Sequence, residues 1–266
     1  EPSSRGRLLR HHFTVDVEDY FHVSAFERYV PRESWAHRES RVAIGTRLLS
    51  DMLSARGFKG TFFVLGWVAE REPGLIRELA SAGHEIASHG WDHLRVTVQT
   101  PEAFRVSVRR SKALIEDLVG QAVDGFRAPS FSIVPGLEWA LDILIEEGYT
   151  YDSSLLPFPR KGYGYAGAAR DPHTIRRPAG TIVELPPTVL EMFGRPISAA
   201  GGAYFRHLPY ALVRHALDRA TRCGYPGTFY IHPWELDPDQ PRLDVPRLTR
   251  VRHYGGLRRT EPRLGR

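Results

Sequence analysis

His89 and His93 stand four residues apart in His89-Gly90-Trp91-Asp92-His93. From a helix start or a tight loop, that spacing lets two imidazoles converge on one cation. Such a pair needs a carboxylate as third ligand if positions are to stay open for water and substrate. The cluster Asp16-Val17-Glu18-Asp19 offers one. Glu18 and Asp19 could equally cap a helix or solvate a turn. Asp16 is different, because it closes the apolar run Phe13-Thr14-Val15, where a buried carboxylate must be paired. Arg127 is an available partner, and its planar fork suits either an orienting contact or a structural bridge. His232 follows Tyr230-Ile231 and reads as a core histidine unless it faces the same cavity as the metal candidates.

The elements that must position these groups follow from periodicity and punctuation. Apolar, β-branched runs predict strands at 13–17, 61–65, 84–88, 123–127, 149–151 and 227–232. Helices are predicted over 41–56, from Pro73 to Gly83, from Pro101 behind the Thr100 cap to Val119, over 135–147 and over 209–223. Strand–helix alternation with short connections is the signature of parallel βαβ units. The predicted fold is therefore α/β, a single-domain distorted (β/α) barrel with fewer than eight regular units. In such barrels functional groups gather at the C-terminal ends of the strands. Asp16, Glu18, His89, His93, Arg127, Asp152 and His232 all stand at predicted strand ends.

The barrel domain is expected over residues 11–235. It includes a loop-rich insertion at about 153–204, crowded with Pro and Gly, in which 173–177 and 181–185 form a hairpin candidate. Residues 236–266 read as a basic C-terminal extension. The last 25 residues hold eight arginines against Asp244 and Glu261, and a solvated, frayed terminus is the plainer expectation. Nucleic acid is not expected as a partner, because the segment lacks interleaved aromatics and a recognisable binding module.

Composition narrows the class. With 266 residues, 42% hydrophobic content and a net charge of +5, the chain is too apolar for a disordered one. A lone Cys223 excludes an intramolecular disulfide framework and a thiolate-rich zinc site. No stretch approaches the ~20 apolar residues of a membrane span. The opening EPSSRGRLLRHHF has no apolar h-region, so a cytoplasmic location is expected, although the missing initiator Met leaves room for an upstream segment.

Taken in order, these motifs resemble the polysaccharide deacetylases of carbohydrate esterase family four. The family's Asp-rich first motif is similar to Thr14-Val15-Asp16-Val17-Glu18-Asp19, and its His-x-x-x-His motif to His89 through His93. Its Arg-x-Pro motif corresponds to Arg127-Ala128-Pro129, and its apolar-His motif to Ile231-His232. More narrowly, DVEDYFHV and FYIHPWELDPDQPR resemble deacetylases of bacterial exopolysaccharide loci.

The resemblance implies Asp16 as base oriented by Arg127, His232 as acid, and Asp152, a partial match to the fourth motif, as the group tuning that acid. It implies a divalent metal on His89, His93 and either Glu18 or Asp19, since Val17 separates the acids that the family keeps adjacent. Strand alternation favours Glu18, and a bulge after Val17 would favour Asp19. Two imidazoles and a carboxylate suit Zn²⁺, with Co²⁺ or Ni²⁺ as other occupants. Ser130 replaces the usual Tyr of the third motif, leaving backbone N–H groups there as oxyanion donors. The implied substrate is an acetylated polysaccharide or oligosaccharide, with Tyr20, Trp91, Phe131 and Trp234 available as flat surfaces for sugar rings. A same-fold hydrolase of cyclic or small amides and a non-catalytic polysaccharide-binding protein are the competing readings.

Overall fold

The computed structural model describes residues 9–158, 162–192 and 194–266. Residues 1–8 and Pro159, on which parts of the leader and loop readings fall, lie outside them.

Apart from one short helix over Gly66–Arg71 that the sequence pattern does not announce, the first half alternates as its punctuation predicts. β1 (His12–Val17) is followed by α1 (Val42–Ser54), then β2 (Thr61–Val64), α2 (Gly66–Arg71), α3 (Pro73–Ser81) and β3 (Glu85–Ser88). α4 (Pro101–Val119) shows why its ends were legible. Thr100 Oγ1 accepts the Ala103 N–H at 3.2 Å, Pro101 occupies the first helical position, and Gly120 stops the helix at φ 67°. β4 (Gly125–Phe126), α5 (Trp139–Glu146) and β5 (Tyr151–Asp152) are shorter than predicted. Proline fits the first turn of a helix, yet Pro135 opens a turn here and α5 begins only at Trp139.

The chain continues through β6 (His173–Arg177), β7 (Gly180–Glu184), β8 (Val189–Met192), β9 (Arg195–Ser198), α6 (Gly202–His207), α7 (Tyr210–Arg222) and β10 (Thr228–Ile231). The main sheet runs β10-β1-β2-β3-β4-β5-β7-β6, parallel throughout except for the β6–β7 hairpin. Just past β7, Pro187 bridges Thr228, and the Thr188 N–H donates to Thr228 O at 3.0 Å. The sheet thus curls until its β7 side touches β10. The segment read from sequence as an insertion therefore contributes part of the barrel wall through β7. The β8–β9 hairpin within it was not anticipated, because its run of Pro and Gly masks the period-2 pattern.

The basic extension is folded rather than frayed. α8 (Arg247–Tyr254) and α9 (Leu257–Leu264) bring Val245, Tyr254 and Leu257 into a second apolar cluster with Tyr20, Phe21, Phe26, Trp35 and Trp234. Burial of those side chains outweighs the solvation preference of the arginines around them. The main core lies between the sheet and helices α1 to α5, where Val15, Phe62, Val64, Phe104, Phe126 and Ile231 are sealed from solvent. Among the described residues no helix is long and apolar enough to cross a membrane.

Candidate active site

The strand order puts β10, β1, β2, β3 and β4 side by side, so their C-terminal ends share one rim. Immediately beyond β1 the chain bends, with the Glu18 N–H donating to Asp16 O at 3.0 Å. This bend leaves Asp16 and Glu18 buried in the barrel mouth and turns Asp19 outward to α1. Asp19 Oδ2 there accepts the Arg41 and Val42 N–H groups at 2.7 and 3.0 Å, satisfying the start of the helix. Burial pushes the Asp19 carboxyl up to about 6 despite these bonds. Of the two acids considered for the metal, Glu18 is the one brought to the histidines, and Asp19 is not.

Glu18, His89 and His93 each offer one ligand atom within 4.8 Å of the others, and all three side chains are buried. The histidines sit on a tight loop rather than a helix. Gly90 at φ 75° and His93 at φ 56° turn it, and its Gly90 and Trp91 carbonyls accept the Gly66 and Trp67 N–H groups at the start of α2. His89 Nδ1 lies 2.7 Å from Arg127 O, an acceptor, so Nδ1 carries the proton and Nε2 keeps its lone pair for the cluster. Burial lowers the His89 pKa to about 4, holding the ring neutral.

Glu18 Oε2 is 2.8 Å from His93 Nε2, with no aligned hydrogen-bond donor on that oxygen. Burial raises the Glu18 pKa, but the neighbouring His93 and His232 charges outweigh it and hold the carboxyl well below its ordinary range. A buried anion with an unshared oxygen, facing two imidazoles, is the donor set a divalent cation fits.

Asp16 is held beside this trio. Arg127, fully buried, donates from Nη1 to Asp16 Oδ1 and to Thr14 Oγ1, both at 2.7 Å, and from Nε and Nη2 to Ser153 O and Oγ. The other carboxylate oxygen, Oδ2, stands 3.8 Å from His232 Nε2. His232 Nε2 is also 3.6 Å from Glu18 Oε1, to which Trp234 Nε1 donates at 3.2 Å. His232 thus faces the cavity of the metal candidates and is not a plain core residue.

Asp152 stands elsewhere. It accepts from Ser154 Oγ at 2.5 Å, Ser154 Oγ accepts the Ala128 N–H at 2.7 Å, and Asp152 pairs across the sheet with Glu184. The contact it makes braces the backbone after Arg127; it does not touch His232.

The carboxylate on His232 is one the sequence reading passed over. Glu235 Oε2 lies 2.8 Å from His232 Nδ1 and accepts the His232 N–H at 3.1 Å, while buried Arg206 donates from Nε to Glu235 Oε1 at 2.7 Å. Burial opposes the charged form of both. The Arg206 and His232 charges still hold Glu235 at about 2, and Glu18 and Glu235 lift His232 to about 9. The spacing of a helix-start residue and a Glu three positions later, with Pro between them, was the signal available in His232-Pro233-Trp234-Glu235. Gly45 of α1 permits this turn's position, because a Cβ there would stand 2.0 Å from Pro233 O.

These groups border a cavity of about 430 Å³. Phe131 and Trp234 form part of its wall, as does Ser130, whose φ of 56° is left-handed. Phe131 N–H is committed to Ala128 O at 3.0 Å, which leaves the Ser130 N–H as the candidate oxyanion donor. Trp91 packs instead against Gly66 and the Arg110 guanidinium, and Tyr20 lies in the second apolar cluster, so neither offers a face to this cavity.

Fold and rim together define a (β/α)-barrel domain with a His, His, carboxylate cluster beside a paired Asp and His. Residues 44–143 match the family model described as Polysaccharide deacetylase, and residues 153–266 match a domain of unknown function, DUF3473. The peptidoglycan-N-acetylglucosamine deacetylase PgdA of Listeria monocytogenes is 28% identical over 101 residues, 35% of this chain and 22% of that protein. The chain thus spans about a fifth of that relative's length. A Mycobacterium smegmatis crystal structure assigned as a polysaccharide deacetylase superposes with a TM-score of 0.66 at 22% identity, over 96% of this chain and 85% of that one. A family 4 carbohydrate esterase from Streptomyces lividans, in complex with acetate, gives 0.51 at 14% identity, over 97% and 89%. Residues 44–143 thus carry the sequence pattern of a polysaccharide deacetylase, and the fold is one the chain shares with these solved structures. His89, His93 and Arg127 fall within the first match and His232, Glu235 and Arg206 within the second, whereas Asp16 and Glu18 precede both.

Proposed function

We propose that this chain hydrolyses acetyl groups, in particular N-acetyl groups of amino sugars, from a bacterial polysaccharide. The observation that carries the reading is the buried Glu18, His89 and His93 trio with Asp16 and His232 beside it on one cavity. A divalent cation held by that trio, most naturally Zn²⁺ and otherwise Co²⁺ or Ni²⁺, supplies Lewis acidity toward an acyl oxygen. Asp16, fixed through Oδ1 by Arg127, presents Oδ2 to take a proton as water adds to the acetyl carbon. The Ser130 N–H, at the cavity wall, is the backbone donor assigned to the developing oxyanion. His232, its Nδ1 engaged by Glu235, carries a proton on Nε2 and gives it to the amine as the C–N bond breaks, releasing acetate. Phe131 and Trp234 give the sugar's site part of its apolar wall. A role in exopolysaccharide assembly is the narrower form of this proposal and rests on the likeness of DVEDYFHV and FYIHPWELDPDQPR to that subgroup.

The test is acetate release from chitooligosaccharides by chelator-stripped protein, before and after addition of Zn²⁺, Co²⁺ or Ni²⁺. Release that depends on added metal is expected. Bound metal with no release from any acetylated glycan would reject the deacetylase reading, and a chain that binds these oligosaccharides without metal or turnover would be a binding module.

A further inference from the structure

The last 25 residues hold eight arginines, an excess larger than the net +5 of the whole chain, and the deacetylation chemistry uses none of their side chains. The fold gathers part of this charge. α9 and the α6–α7 junction flank an open second cavity of about 510 Å³, lined by Arg206, His207, Arg258, Arg259, Arg263 and Arg266 with no acidic side chain among its lining residues. Arg263 spends its guanidinium on Arg206 O at 2.9 Å and Leu208 O at 2.6 Å, and Arg258 lies 3.3 Å from Asp239. Arg259 and Arg266 are exposed and have no ion-pair partner among the described residues. Burial and the charges of Arg266 and Arg259 hold Arg263 below the ordinary arginine value, a sign of how closely the cations crowd. Like charges massed in a groove repel one another and attract a polyanion. The planar arginine fork matches carboxylates and phosphates alike, so the neighbouring cavity must decide between them.

Adjacency to the first cavity bears on which polyanion. Arg206 is a wall the two cavities share, its buried guanidinium held by Glu235 and by the carbonyls of His253 and Gly255. α8, joined to α9 through Gly255 and Gly256, lines the first cavity with Leu248, Thr249 and Arg252. A polymer whose acetylated sugar occupies the first cavity can extend along these helices to the second. The second offers only Tyr210 and His207 as aromatic ring side chains, a short platform for base stacking along a nucleic acid strand.

We propose that the α8–α9 face is an extended subsite for an acidic glycan, one whose repeating unit carries carboxylates beside the acetylated sugar. This rests on the deacetylase reading of the first cavity, but binding alone tests it. Hyaluronan hexasaccharide alternates N-acetylglucosamine with glucuronate, and chitohexaose is a neutral counterpart of equal length. By isothermal titration calorimetry on the full chain at low salt, hyaluronan is expected to bind about tenfold more tightly than chitohexaose. The advantage should shrink at about 0.5 M salt. It should vanish in R259E/R266E, with an unchanged thermal midpoint as the control for folding.

Equal affinities, or a preference that survives in R259E/R266E, would overturn the proposal. Tighter binding of a DNA oligonucleotide or of phosphatidylglycerol vesicles than of hyaluronan would also overturn it and assign the groove to nucleic acid or lipid. If acetate release fails while the hyaluronan preference holds and depends on Arg259 and Arg266, the enzyme reading falls and the groove assignment stands.

Discussion

Two pairs of carboxylates are buried at the same rim of the barrel, and their neighbours treat them in opposite ways. Asp16 and Glu18 face cations or potential cations: Arg127 lies 2.7 Å from Asp16, His93 2.8 Å from Glu18, and His232 within 3.8 Å of both. Asp152 and Glu184 face each other as cross-strand partners, and Arg127 turns its fork toward Asp16 and Ser153 instead. Glu18 is consequently held ionised, whereas burial pushes Asp152 up to about 6 and Glu184 well above its ordinary value. One pair lines the cavity and the other does not. Position at a strand end therefore does not make an acid a reacting group; the partner that shares its burial does.

Substitutions in each set should separate these roles. His89→Ala and Glu18→Gln are expected to lose zinc on gel filtration and to bring acetate release to background, a loss of about a thousandfold or more. Either variant retaining both metal and turnover would remove the cluster from the chemistry. Asp16→Asn should keep its metal and lose about 10²- to 10⁴-fold in kcat, because the acceptor for the proton is gone while the trio is intact. Full activity in that variant would sink the base assignment. Asp152→Asn should keep its metal and remain within about tenfold of wild type, since Asp152 braces Ala128 through Ser154 and touches no reacting group. Glu235→Gln is expected to fall between these outcomes, about 10- to 100-fold down in kcat, by weakening the hold on His232 Nδ1.

Much of this arrangement could be read from residue types. The main helices, the parallel strands and the residues at their ends required only periodicity and punctuation, and α4, with its Thr100 cap, shows each signal in place. What could not be read depends on a single backbone bend or on a distant partner. Glu18 and Asp19 are adjacent in sequence, and only the turn of the Glu18 N–H onto Asp16 O sends one to the histidines and the other to α1. Glu235 was overlooked because its importance comes from Arg206, 29 residues away, which fixes the carboxylate that His232 requires. The arginine-rich end looked frayed because its few apolar residues, Val245, Tyr254 and Leu257, show no long period. They are buried only because Trp35 and Trp234 wait to receive them.

The second acid pair offers the smallest effect. Glu184 Oε1 accepts the Leu155 N–H at 3.0 Å, while Oε2 is buried without a partner. A raised folded-state pKa means that the native protein binds more protons than the unfolded chain. The contribution of Asp152 to stability is therefore most favourable below its unfolded value near 4 and is lost as pH rises through about 6, and Glu184, raised well above its ordinary value, acts in the same direction. Glu184→Gln keeps the acceptor for Leu155 and places an amide donor where the unpartnered oxygen stood, facing an Asp152 that can then ionise. In metal-free protein this variant should match wild type near pH 4 and exceed it by about 1–2 kcal/mol near pH 7.5, as read from urea unfolding midpoints. A stability difference that stays constant with pH would show that the two acids do not share a proton, and the contrast with the Asp16 and Glu18 pair would then rest on geometry alone.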